Sequence, residues 1–419
     1  MICRALNPIV ILVIALAGFA KNIGSSPFAA RCLQSPQAVS LLTSEIQFSY
    51  GGNVAQVPAQ VADALALVAV RVNGSQPSWF LLDTARSTSA IDDVRAVAVG
   101  LYAPSAHGAP PRALTNVTLD FSGLRVSLST LALDSFGDLS ARTGHAIQGM
   151  LGADVLSHLI IKIDYQGESV QFFDPKGFQY RGKGVKFPMA SVRGIPAIEG
   201  KIAISHRGNF RGRFAISTGQ TEPLQFSTHF ASANSLFDLP EKMLPFPGVD
   251  AANDTDFRDR IGRVHEIQLG KITFANPIAI FPAKSAAADG VPGDFIAALG
   301  GEALDRFTII LDYPAQLLFL EPNRRFPEVF TADMSGLTLI AIPPAFHNFE
   351  VARVAEKSPA ADAGVQVGDM ITEADGNSLS GDTLDQLRAL LREADTSHTL
   401  TLLRNGKKLS VKLNLKPLV

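Results

Sequence analysis

Cysteine, tryptophan and excess charge of either sign are scarce in this chain. Its 419 residues include two cysteines, Cys3 and Cys32, and a single tryptophan, Trp79. Cys3 falls in a segment expected to be removed, which leaves Cys32 alone and excludes an intramolecular disulfide framework. Basic residues number 37 and acidic residues 39, for a formal charge of −2. No run of Lys or Arg is long enough to track a phosphate backbone, so nucleic acid is not an expected partner. Beyond the N-terminus no continuous apolar span reaches the roughly 18 residues of a membrane helix, so no membrane contact is expected beyond that first segment. The eight histidines form no His-x-x-x-His pair, and no Cys/His cluster has zinc spacing. A Gly-x-Ser-x-Gly elbow and a phosphate-cradling Gly-rich loop ending in Lys-Ser/Thr are both missing. No metal and no cofactor are expected.

Apolar material is plentiful. Hydrophobic residues make up 47% of the chain and charged residues 18%, a balance that folds rather than staying disordered. At roughly 150 residues per domain the length suggests about three units. The chain opens with Arg4 and an apolar stretch from Pro8 to Ala20, closed by Gly18-Phe19-Ala20. This pattern reads as a signal peptide over 1–20, with an exported, periplasmic or extracellular product. Residues 21–60 show little periodicity and read as a linker or arm.

From Ala64 onward the text becomes short apolar runs separated by turn residues, such as Leu65–Val72, Asn73-Gly74 and Trp79–Leu82. These predict strands and hairpins, and the style continues to about Pro322. Within this β region residues 150–165 align without gaps on residues 298–313, with six of sixteen positions identical. Further upstream Phe80-Leu81-Leu82-Asp83-Thr84-Ala85 matches Phe214-Ala215-Ile216-Ser217-Thr218-Gly219. A duplicated unit follows, with lobes over 61–180 and 185–325. A third unit over 335–417 mixes strands with one amphipathic helix, in which Leu384, Leu387, Leu390 and Leu391 recur at helical spacing.

Asp83 and Thr84 follow directly on an apolar strand, which sets a carboxylate at the mouth of a core, where desolvation can tune it as a general base. Met150-Leu151-Gly152 in the first lobe and Ala298-Leu299-Gly300 in the second could each close a strand crossing beneath such a loop. This paired pattern resembles the aspartic peptidases of the retropepsin and pepsin type. The resemblance implies two acid-protease-like β-barrel lobes and an aspartic-type endopeptidase site built from Asp83, Thr84, Ser217, Thr218 and Gly219. It also sets Ser217 where the family carries its second aspartate. A serine can hold a water by hydrogen bonds but cannot share the proton that the paired carboxylates share. The first loop departs too, with Ala85 and Arg86 where the family prefers glycine and a small residue.

In the third unit Ser358 can cap a helix beginning at Pro359, Gly364 can end it, and Gly368-Asp369 can turn the chain into the next strand. The run from Val351 to Ile371, with Asp375-Gly376, resembles a PDZ domain of the bacterial protease-associated kind. That implies a peptide groove between Gly336-Leu337-Thr338-Leu339 and the helix bearing Leu384 and Leu387. The expected partners are peptides or unfolded protein segments, C-termini among them. Three function classes stay open: a peptidase working through Asp83, a peptide-binding pseudoenzyme, and a scaffold acting through the PDZ unit.

Overall fold

Short apolar runs separated by turn residues fold here as mostly antiparallel strands. The computed structural model describes residues 45–103, 111–246, 259–283 and 291–419. The expected signal peptide 1–20, both cysteines and the arm up to residue 44 lie outside the described residues. In the first hairpin Leu65–Val72 pairs with Ser78–Leu82. Asn73 and Gly74 make its turn at φ of 49° and 74°, a left-handed geometry that Asn-Gly adopts at low cost.

Each lobe then threads a short strand between two others. Gly149–Leu151 runs parallel to Ser78–Leu82 and antiparallel to Ala90–Asp92. Ala297–Leu299 does the same between Gly208–Ile216 and Leu224–Phe226. A side chain at the residue after each threaded strand would collide with backbone. A Cβ on Gly152 would lie 2.8–3.0 Å from Thr88 and Arg86 backbone atoms, and one on Gly300 would overlap the Glu222 carbonyl.

The lobes are joined by six neighbouring strands of one 13-stranded sheet, in the order Val54–Ala62, Ser169–Phe173, Ile160–Asp164, Phe307–Asp312, Leu317–Pro322 and Val185–Pro188. Its central pair comes from the two copies of the repeat. The copies are offset by 148 residues (150 to 298), and Lys162 and Ile310, separated by that same offset, face each other in the register. The pseudo-two-fold axis relating the lobes therefore passes through this pair, and one apolar core runs through both lobes.

The expected arm is folded from residue 45. Glu45–Phe48 pairs with Leu124–Asp134, and Val54–Ala62 pairs with Leu65–Val72 and Ser169–Phe173. Ala55 and Val57 are buried while Val54, Gln56 and Pro58 face out, a period-two pattern with small inward residues. Lobe 1 thus includes strands that the boundary at residue 61 leaves out.

The third unit is a five-strand antiparallel path, Leu337–Ala341, Phe349–Val354, Met370–Ala374, Ser397–Arg404 and Lys407–Asn414. It has its own core, with Leu384, Leu387 and Leu391 buried from the helix Leu384–Leu390 and its C-cap. Ser358 caps the helix Pro359–Asp362 as expected. Asp369 anchors the following turn through two bonds of 2.6 Å from Arg404. Among the described residues no helix is long and apolar enough to cross a membrane.

Gly152→Ala should lower unfolding free energy by about 1–3 kcal/mol through overpacking. Gly137→Ala, whose added Cβ meets nothing within 4 Å, should change it by less than about 0.5 kcal/mol. Urea titration of both variants checks the contrast.

Candidate functional site

The two loops that follow the inner strands meet on the pseudo-two-fold axis. Each is fixed first by its own lobe: the Asp83 N–H donates to the Leu151 carbonyl at 3.0 Å, and the Ser217 N–H donates to the Leu299 carbonyl at 2.9 Å. The loops then hold each other through two buried threonines. Thr84 N–H donates to Thr218 Oγ1, and Thr218 N–H donates to Thr84 Oγ1, both at 3.1 Å. Each hydroxyl also donates across the axis, Thr84 to the Ile216 carbonyl at 2.5 Å and Thr218 to the Leu82 carbonyl at 2.6 Å. Four reciprocal bonds thus satisfy buried groups that no water reaches, which makes the loop pair stiff.

Asp83 sits half-buried above this grip, with one carboxylate oxygen accepting from the Ala85 N–H at 2.9 Å. Gly219 of the other lobe closes against it. A Cβ on Gly219 would lie within 2.6 Å of both carboxylate oxygens, so only glycine fits there while Asp83 stands opposite. The pseudo-symmetry sets Ala85 against Ser217 in the same way. Ala85 packs on the apolar cluster of Ala215, Phe295 and Ala298.

Burial pushes the Asp83 carboxyl above the 3.8 of a free aspartate, opposed in part by the Ala85 N–H, the Arg86 charge and the Arg86 N–H. No second carboxylate contributes to that balance. The Arg86 guanidinium is engaged elsewhere, with Asp134 at 2.7 Å and the Thr88 carbonyl at 2.8 Å. This is the electrostatic result of Ser217: Asp83 is a lone, desolvated acid rather than half of a proton-sharing pair.

The site opens into a cavity of about 750 Å³ between the lobes, walled near the acid by Asp83, Ala85, Ser217 and Gly219. That size suits a ligand of several residues. Asp83, Thr84, Ser217, Thr218 and Gly219 are thus brought together as the sequence suggests.

In the C-terminal unit Leu337, Thr338 and Leu339 lie on an edge strand, and Leu384 and Leu387 lie on the facing helix. Gly336 through Leu339 line the same cavity as Asp83. The groove between strand and helix is covered, however. The lobe-1 helix Gly137–Thr143 packs on the edge strand, and Leu384 and Leu387 are 0% and 2% exposed. Residues that sequence reasoning passes over include Arg142, Arg388, Arg392 and Asp63, which also line the cavity. No local pattern marks them, because their partners lie in other units of the chain.

Comparison with known proteins bears on the C-terminal unit. A family model described as a PDZ domain matches residues 350–404, and the C-terminal unit is a PDZ domain. A search of curated proteins finds no match. Among solved structures, an aspartic proteinase from Irpex lacteus aligns over 66% of this chain and 99% of its own, at 14% identity and a TM-score of 0.39. A photosystem II D1 C-terminal processing protease aligns over 19% of this chain and 22% of its own, at 27% identity and a TM-score of 0.18. An aminopeptidase N family protein from Idiomarina loihiensis aligns over 22% of this chain and 15% of its own, at 20% identity and a TM-score of 0.19. The acid-protease-like architecture of the lobes rests on the threaded strands, the joining sheet and the threonine grip.

Thr218→Val removes the acceptor of the Thr84 N–H and the donor to the Leu82 carbonyl. At about 1–3 kcal/mol for each orphaned buried group, the loss should be about 2–6 kcal/mol. Thr218→Ser keeps the hydroxyl and should cost about 1 kcal/mol for the lost methyl. Chemical denaturation of the two variants separates hydrogen bonding from packing.

Proposed function

We propose that this chain is a peptide-binding protein of acid-protease architecture, exported by its N-terminal segment, whose interlobe cavity holds extended peptide without carboxylate-pair turnover. The observation that carries this reading is Ser217, which sets a hydroxyl where a proton-sharing pair would need its second carboxylate. The cavity walls retain what an extended ligand requires: apolar surface from Ile195, Ala215 and Ala298 beside the polar groups of the two loops. From the PDZ domain, Gly336, Leu337, Thr338 and Leu339 also line this cavity.

One observation favours hydrolysis as a second reading. The threonine grip is intact on both sides, and burial raises the Asp83 pKa. A lone carboxylate so placed can act as a general base toward a water held by the Ser217 hydroxyl. What is lost is the acid that would protonate the substrate carbonyl in the same step, a contribution of roughly 10²–10⁴-fold where acid–base groups act.

The test is turnover of a denatured-protein mixture by the purified chain, with products read by mass spectrometry. The first reading predicts binding with no products from the native chain or from Asp83→Asn. Ser217→Asp with Ala85→Gly should cleave. Products from the native chain that vanish in Asp83→Asn would establish the second reading instead.

A further inference from the structure

The peptide groove of the PDZ domain already has an occupant from the same chain. Across the groove Arg388 of the helix Leu384–Leu390 donates to the Arg142 carbonyl at 2.5 Å and to the Leu339 carbonyl at 3.4 Å. One Arg388 guanidinium thereby joins the Arg142 carbonyl, at the end of the lobe-1 helix Gly137–Thr143, to the edge strand. Gly144, at φ 72°, presses into the gap: a Cβ there would lie 2.7 Å from Leu384 Cβ and 3.7 Å from Ala341 Cβ. Outside the groove the contact is latched by Arg388 with Asp63 at 2.8 Å, by the Asp63 N–H to Asp385 at 3.0 Å, and by His145 with Asp385 at 3.7 Å.

Two features leave this contact incompletely satisfied. The edge strand Leu337–Ala341 pairs on one side only, and among the described residues no backbone hydrogen bond joins it to the lobe-1 helix. An extended peptide would add the strand bonds that the helix leaves unmade. The junction also buries charge at a cost. Arg142 Nε and Asp385 Oδ1 are buried without partners, and such orphaned groups cost about 1–3 kcal/mol each.

We propose that residues 137–145 are an intramolecular plug of the PDZ groove, displaced when an extended peptide adds to the edge strand Leu337–Ala341. Leu139, Arg142 and Thr143 of the plug also wall the Asp83 cavity. A peptide in the PDZ groove therefore remodels the cavity beside Asp83, and a ligand that needs the plug in place is weakened in return. A plug closed nine-tenths of the time weakens groove binding tenfold, since the apparent Kd is the intrinsic Kd divided by the open fraction. This goes beyond the proposed function and holds whether or not Asp83 turns peptide over.

The test uses the full chain in an Asp83→Asn background, so that the probe survives. The probe is a fluorescein-labelled decapeptide pool with free carboxyl termini and Val, Leu, Ile or Phe as the last residue. Gly144→Ala should wedge the plug out and tighten binding of the pool by about tenfold. Gly381→Ala, outside the plug and the edge strand and with open space around it, should leave binding unchanged. Saturating pool should also raise hydrogen exchange over 137–145 in the chain without a plug substitution, a readout that does not depend on Gly144→Ala folding. Equal affinity for the Gly144→Ala and parent chains, unchanged exchange over 137–145, or no binding at millimolar pool would each overturn the proposal.

Discussion

The reciprocal hydrogen bonding of Thr84 and Thr218 is the constraint on which the site depends. Each hydroxyl accepts from the other loop's N–H and donates to a carbonyl at the end of the other lobe's inner strand. Six polar groups, two N–H, two hydroxyls and two carbonyls, are thereby buried with partners, and the lobes cannot shift along the axis without exposing or orphaning them. The strands that join the lobes set the same symmetry from below, through the pairing of Lys162 with Ile310. Positions 83 and 217 face each other because these two devices agree, and the chemistry at each position is free to differ.

That freedom has been used on one side only. Asp83 keeps its burial, its N–H donor and the glycine opposite it. On the other side a serine and an alanine occupy the positions of a carboxylate and a glycine, and the exchange removes charge. Because burial raises its folded pKa, Asp83 stabilises the fold most below about 3.8, and that stabilisation is lost as pH rises through the raised value. Asp83 shares this behaviour with Asp63, Glu222, Glu302 and Asp333, whose carboxyls burial also raises and which line the same cavity, so the pH dependence of stability belongs to the cavity as a whole.

Much of this was legible in the sequence, and the limits have physical causes. The repeat could be read because apolar-apolar-glycine and the strand after it recur in order, with Gly152 and Gly300 at positions where a Cβ collides with backbone. Asp83 and Ser217 were found by that alignment alone. The strand Val54–Ala62 was missed because its inward residues are small and Pro58 interrupts it, so its alternation is faint. The link between Ala85 and Ser217 was hidden because neither residue is unusual until the axis sets them against each other. The plugged groove was invisible for a plainer reason: Arg388 and Asp63 are 325 residues apart, and no local pattern reports a contact between separate units. Leu384 and Leu387 read correctly as an apolar helix face, yet the sequence could not say which partner covers it.

Where its two loops meet on the axis, the two-lobed scaffold presents one half-buried carboxylate, Asp83, and no second acid facing it. Carbon-13 titration of the Asp83 carboxyl, assigned by its loss in Asp83→Asn, tests that claim most directly. Asp83 should give one protonation step with a midpoint above 3.8, and two separated steps once Ser217→Asp and Ala85→Gly restore a neighbouring acid. A midpoint at or below 3.8, or two coupled steps in the native chain, would contradict it.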